Sequence, residues 1–195
     1  PVQARDIHRL SYLEVGPGGA CNVAIMAARF GLSVGALGEV GDDGFGLVVR
    51  EGLKSEGINI DGLIESADTA TPVAGVVVDE EGEPAYLGHS GSLRVMHFQG
   101  SWEAAIRKST ALFADGWAEH EAVPAMILRG FEVAQEAGVK TFFDPGPGNP
   151  DVDGSWLPEA IGRTQVLLLN RSEARRITQQ ADEESIVAAL LAIGP

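Results

Sequence analysis

An alternation of helix-length and strand-length apolar runs, punctuated by glycine, constrains this chain more than any other feature. It is clearest between Gly16 and Gly57. The turn Gly16-Pro17-Gly18-Gly19 opens it, and a run of helical spacing follows from Ala20 to Phe30. Val23, Ala24, Ile25, Met26, Ala27, Ala28 and Phe30 leave that helix apolar on nearly all sides, which predicts burial. Gly31 supplies its left-handed stop. Val34 to Val40 reads as a buried parallel strand, followed by the turn Gly41-Asp42-Asp43-Gly44. A second helix places Phe45, Val48, Val49 and Leu53 on one side and Arg50, Glu51 and Lys54 outside, and Gly57 ends it.

Ile58 to Leu63, Thr71 to Asp79 and Pro84 to Gly88 read as strands, with turns at Asp61-Gly62 and Glu80-Glu81-Gly82. From Ser101 the alternation resumes. Trp102 to Lys108 reads as a short helix, Thr110 to Ala114 as a strand, and Glu121 to Ala137 as a helix with Val123, Met126, Ile127, Phe131 and Ala134 on one stripe. Val139 to Phe143 is a strand, Trp156 to Arg163 a helix, Gln165 to Leu169 a strand, and Arg171 to Gln179 and Glu183 to Ile193 helices. Such an order predicts an α/β fold with a mostly parallel sheet covered on both faces.

Charge narrows the partners. The 195 residues carry a formal net charge of −14, which argues against a nucleic-acid groove or an anionic membrane surface. A phosphate ligand stays compatible, because backbone N–H groups at a helix N-terminus hold anions without lysines. The single cysteine, Cys21, rules out an internal disulfide and a cysteine-based metal knuckle. Pro1 to Arg9 has no signal-peptide pattern and no apolar run approaches a membrane span, so a cytoplasmic setting is expected.

Ligands of open parallel sheets gather at the carboxyl ends of the strands. The residues there are Gly41-Asp42, Asp115-Gly116, Asp144-Pro145-Gly146 and Asn170, which predicts a polar cleft on that edge. Gly18 and Gly19 let backbone approach a ligand closely. Asn22 brings an amide that donates and accepts, so a polyol suits the set. A plain turn with Asn22 as helix cap fits the same residues. Asp42 and Asp43 suit a metal or substrate carboxylate; Asp43 also suits the cap of the second helix, the reading favoured here. Asn170-Arg171-Ser172-Glu173 reads both as a capping box and as an amide and carboxylate that hold Mg²⁺ through its waters. His8, His89, His97 and His120 show no metal spacing, and Met26, Met96 and Met126 read as core filler. No Walker A sequence or complete G-x-G-x-x-G occurs in the sequence.

The spacing Gly18-Gly19-Ala20-x-Asn22-x-Ala24, with Gly31 and Gly41 further on, resembles the N-terminal signature of the ribokinase-like (PfkB) carbohydrate kinases. Gly41-Asp42-Asp43-x-Phe45-Gly46 and the N-x-x-E of Asn170 and Glu173 are similar to further family motifs. The resemblance implies a three-layer α/β/α fold with a small β lid, its strands within 1–15 and 71–97, built as one domain over 1–195. It implies ATP-dependent phosphorylation of a sugar, polyol or nucleoside hydroxyl, with ATP and Mg²⁺ as cofactors. Gly18, Gly19, Asn22 and Asp144 would bind substrate, Asn170 the nucleotide and Glu173 the metal. Family members often carry an asparagine or arginine soon after the aspartate and a tryptophan downstream. Trp156 is the candidate for the tryptophan, and no arginine stands beside Asp144. A homodimer through the lid is implied by analogy. The family's first core strand, which bears a sugar-binding aspartate, and its Gly-Ala-Gly-Asp loop, which bears the catalytic base, have no counterpart in 1–195. The expectation is a longer parent protein with the base beyond Pro195. A kinase-fold module that binds a sugar or a partner protein without catalysis is the alternative.

Overall fold

A computed structural model describes residues 11–67, 69–79, 81–82, 84–91, 97–117, 122–146 and 154–194. The chain divides into two compact units, Pro1–Leu93 and Arg94–Pro195.

The first unit runs α1 (Ala20–Arg29), β1 (Gly35–Gly41), α2 (Gly44–Ser55), β2 (Asn59–Ser66), β3 (Val73–Val78) and β4 (Pro84–His89). β1 and β2 pair in parallel, from Leu37↔Gly62 to Gly41↔Ser66, and α2 is the crossover that parallel pairing requires. The stripe on α2 is buried only towards its end, since Phe45 is 47% exposed and Val48 and Val49 are half-buried. Leu53 is fully buried, and Gly57 at φ 74° turns the chain out of the helix towards β2.

Two expectations fail here. Asp61-Gly62 is not a turn but lies inside β2, where a Cβ on Gly62 would strike Leu37 and the Ala36 carbonyl. The register shifts between Gly35 and Leu37, so this glycine marks a close approach against a bulge. α1 has no buried residue, and Met26 and Phe30 are 49% and 81% exposed. An all-round apolar sequence sets what a helix is able to bury. It does not set how many neighbours the unit supplies, and α1 packs along β1.

β3 and β4 form an antiparallel hairpin, Val73↔His89 to Val78↔Pro84, with Gly82 at φ 87° in its turn. It pairs with neither β1 nor β2. Val76, Val78, Tyr86 and Leu87 on it are all more than half exposed. Residues 11–15 are irregular.

The second unit runs α3 (Gly100–Arg107), β5 (Ala111–Asp115), α4 (Ala122–Ala137), β6 (Lys140–Asp144), a single 3-10 turn (Gly154–Trp156), α5 (Leu157–Gly162), β7 (Val166–Leu167), α6 (Arg171–Thr178) and α7 (Glu183–Ile193). β5, β6 and β7 pair in parallel in that order, with Asp115↔Asp144 and Phe143↔Leu167 in register. Leu112, Ala114, Phe143 and Leu167 share one sheet face by strand alternation. Phe131 of α4 and Leu157, Ala160 and Ile161 of α5 form the core over that face, with Ile177 of α6 and Ile193 of α7 packed against it. Phe131 and Phe143 meet edge-to-face at 5.6 Å and are both fully buried, each contributing roughly 1.5–3 kcal/mol by burial. Gly138 at φ 69° stops α4 ahead of β6.

Candidate functional site

In the first unit the glycine elbow is shaped by its own backbone. Gly19 caps α1 at φ 56° and ψ −134°, a conformation open to glycine. The N–H groups of Cys21 and Asn22 donate to the carbonyls of Gly18 and Gly19, and no side chain caps the helix. The elbow rests on α2, where a Cβ on Gly52 would lie 2.6 Å from the Pro17 ring. The cap reading of Asn22 is thereby removed. Asn22 stands in the first turn of α1, exposed, and its amide has no hydrogen-bond partner among the described residues. The space where a Cβ on Gly18 would lie is open.

At the carboxyl end of β1, Asp43 caps α2. Its Oδ1 accepts from the Gly46 N–H at 2.7 Å and from the Thr71 hydroxyl at 2.9 Å, and its Oδ2 accepts from the Thr71 N–H at 2.8 Å. The Thr71 oxygen in turn accepts from the Gly41 N–H at 2.9 Å. The N–H groups of Gly46 and Thr71 hold the Asp43 carboxyl below the usual carboxylate range. With both oxygens so occupied, Asp43 serves as cap and tie. Asp42 is exposed, and its N–H donates to the Ser66 carbonyl. Thr71 is buried just ahead of β3, and no sequence motif marks it.

In the second unit the sheet brings Asp115 and Asp144 side by side at the carboxyl edge. The Gly116 N–H donates to the Asp144 carbonyl at 2.6 Å, and any Cβ on Gly116 would collide with Pro145. Asp144 Oδ1 accepts from the Gly146 N–H at 2.9 Å, while Oδ2 has no hydrogen-bond partner among the described residues. Gly146, at φ 61°, lies against the Trp117 ring, and its carbonyl accepts from Arg176 at 2.7 Å. The rest of the glycine-proline loop, Pro147 to Pro150, lies outside the described residues, as do His8, His120, Met96 and the segments 1–10 and 92–96. Trp156 packs on the core, its ring edge-on to Phe143 at 5.8 Å.

Asn170 and Glu173 form the capping box of α6. Asn170 Oδ1 accepts from the N–H groups of Ser172 and Glu173, and Glu173 Oε2 accepts from the Asn170 N–H at 2.8 Å. The Asn170 amide nitrogen and Glu173 Oε1 have no hydrogen-bond partner among the described residues. No group of three metal-binding side chains occurs among the described residues. Mg²⁺ held through its waters and a nucleotide's phosphates needs only one or two carboxylates, so the box fits that ion. Among the described residues no helix is long and apolar enough to cross a membrane.

Residues 2–195 match the model of the pfkB family carbohydrate kinases. The chain belongs to the pfkB family. It is 28% identical to mouse ribokinase over 195 residues, covering 99% of this chain and 58% of that protein. It is 31% identical to a nucleoside kinase of Methanothermobacter thermautotrophicus, covering 100% of this chain and 60% of that one. Among solved structures, Arabidopsis thaliana ribokinase complexed with ribose and ATP matches with a TM-score of 0.74 at 18% identity, covering 91% of this chain and 58% of that one. The pfkB chain thus has the ribokinase-like α/β fold, and it spans 60% or less of the length of these relatives. Of its signature residues, Gly18, Gly19 and Asn22 belong to the first unit and Asp144, Asn170 and Glu173 to the second.

Proposed function

We propose that the protein transfers the γ-phosphoryl group of ATP to a hydroxyl of a sugar or related polyol. The observation that carries this reading is the exposed amide of Asn22, without a partner among the described residues, beside the elbow of Gly18 and Gly19 in a chain of this family. Its competing role as a helix cap is filled by Gly19. In this reading the elbow and Asn22 of the first unit hold acceptor hydroxyls, and in the second unit Asp144 Oδ2 accepts from a substrate hydroxyl. Asn170 meets the nucleotide, and Glu173 holds Mg²⁺ through water. ATP and Mg²⁺ supply the phosphoryl group and the charge that steadies it in transfer. The acceptor proton goes to a general base, the role that the aspartate of a Gly-Ala-Gly-Asp loop would fill. A cytoplasmic setting and a homodimer joined through the β3–β4 hairpin belong to the same reading. A nucleoside is the second acceptor class, favoured by the match to the nucleoside kinase of Methanothermobacter thermautotrophicus.

The test is a panel of sugars and nucleosides with ATP and Mg²⁺, scored by ADP release from the full-length protein. Asn22→Ala should raise the KM for the preferred acceptor about tenfold, the loss of one or two hydrogen bonds worth about 1–3 kcal/mol. Its Tm should stay at the wild-type value. An unchanged KM and kcat in that variant would remove the elbow from the site.

A further inference from the structure

Asp144 is held by a turn, and the turn is held by a helix. One carboxylate oxygen is fixed by the Gly146 N–H, and the other has no partner among the described residues. The direction of the open oxygen therefore depends on where Gly146 sits. Gly146 is a weak anchor by itself: it is a glycine at φ 61°, free to adopt many conformations. Two contacts restrain it. The Trp117 ring lies against it, and the Arg176 guanidinium donates to its carbonyl at 2.7 Å. Arg176 forms no ion pair among the described residues, unlike Arg171 on the same helix, which pairs with Glu183. Among those residues the one polar contact of its side chain is the Gly146 carbonyl. A guanidinium bonded to a neutral carbonyl is a charge-assisted hydrogen bond, stronger than a neutral one.

We infer that Arg176 is a positioning residue: through the Gly146 carbonyl it fixes the Asp144 turn, and so aims the open oxygen of Asp144 at an acceptor hydroxyl. The inference rests on the proposed role of Asp144 in binding the acceptor. It adds a residue that no motif marks. It also gives α6 a second duty, since the helix that carries Asn170 and Glu173 at its mouth carries Arg176 in its second turn.

The experiment uses the full-length protein with Arg176→Met and Arg176→Lys. Arg176→Met keeps much of the side chain's length and loses the donor; Arg176→Lys restores one. Arg176→Met should raise the acceptor KM about tenfold, leave the ATP KM within about twofold, and leave Tm unchanged, with Arg176→Lys recovering part of the loss. Amide hydrogen exchange at Gly146 reads the same tie with no substrate present. Arg176→Met should speed that exchange several-fold. Unchanged exchange at Gly146, or faster exchange with an unchanged acceptor KM, overturns the inference. A rise of both KM values together with a lowered Tm overturns it as well, because that is the mark of a structural role. Asp144→Asn separates the two readings. If Asp144→Asn binds acceptor as wild type does, the acceptor role of Asp144 is what fails, and the exchange at Gly146 still decides whether Arg176 fixes the turn.

Discussion

Asp43 takes hydrogen bonds from Gly46 and Thr71, and those bonds favour its ionised form. A carboxyl held low in the folded state stabilises the fold at pH above its ordinary range, and that contribution is lost as pH falls through the lowered folded value. Wild type and Asp43→Asn should therefore differ most in Tm near neutral pH. The gap should close as pH is taken below about 4, the ordinary carboxyl range. Thermal melts of both proteins across that span check it, and a gap that does not change with pH would show that the Asp43 charge is irrelevant. Asparagine shows how far single residues can be read from sequence. Asn170 caps its helix as its spacing with Glu173 predicts, whereas Asn22 fits the same cap preference and does not cap. The difference lies in the φ of Gly19, which starts α1 at Ala20, two residues before Asn22. No side-chain pattern carries that information.

The same limit holds for whole elements. α7 spans Glu183–Ile193, the bounds read from the sequence, and of the α2 stripe Leu53 is fully buried while Phe45 is not. Those elements are legible because their spacing alone decides them. β2 is obscured by Asp61-Gly62, a pair that reads as a turn but serves a tight strand pairing. Gly46 is a similar case at the start of α2. In a helix, Ala is favoured over Gly by about 1 kcal/mol. At Gly46, however, a Cβ would drive into the Gly41 carbonyl and come within 3.1 Å of the Thr71 hydroxyl. Overpacking of this kind costs about 1–3 kcal/mol, so the clash outweighs the propensity. Gly46→Ala should destabilise the protein by up to about 2 kcal/mol in urea unfolding, and a stabilised variant would refute the packing argument.

At the scale of the molecule, the alternation of helix and strand is enough to predict the α/β class, because parallel strands need crossover helices. What the alternation does not contain is which faces find cover, since that depends on neighbours distant in sequence. The β3–β4 hairpin poses the question most sharply. Val76, Val78 and Tyr86 lie on one of its faces by strand alternation and are more than half exposed. If copies of the protein pair there, Val76→Glu with Tyr86→Glu should weaken self-association at least about tenfold. Sedimentation equilibrium on wild type and variant checks this, and a wild type that stays monomeric refutes it. The root of the hairpin is built otherwise. Gly91 at φ 70° leaves no room for a Cβ against the backbone of Ala70 and Pro72, and Gly41 leaves none against that of Thr69 and Thr71. A joint made of main chain against main chain is indifferent to the side chains further along the ribbon. Substitutions along the ribbon's outer reaches should thus leave its point of attachment where it is.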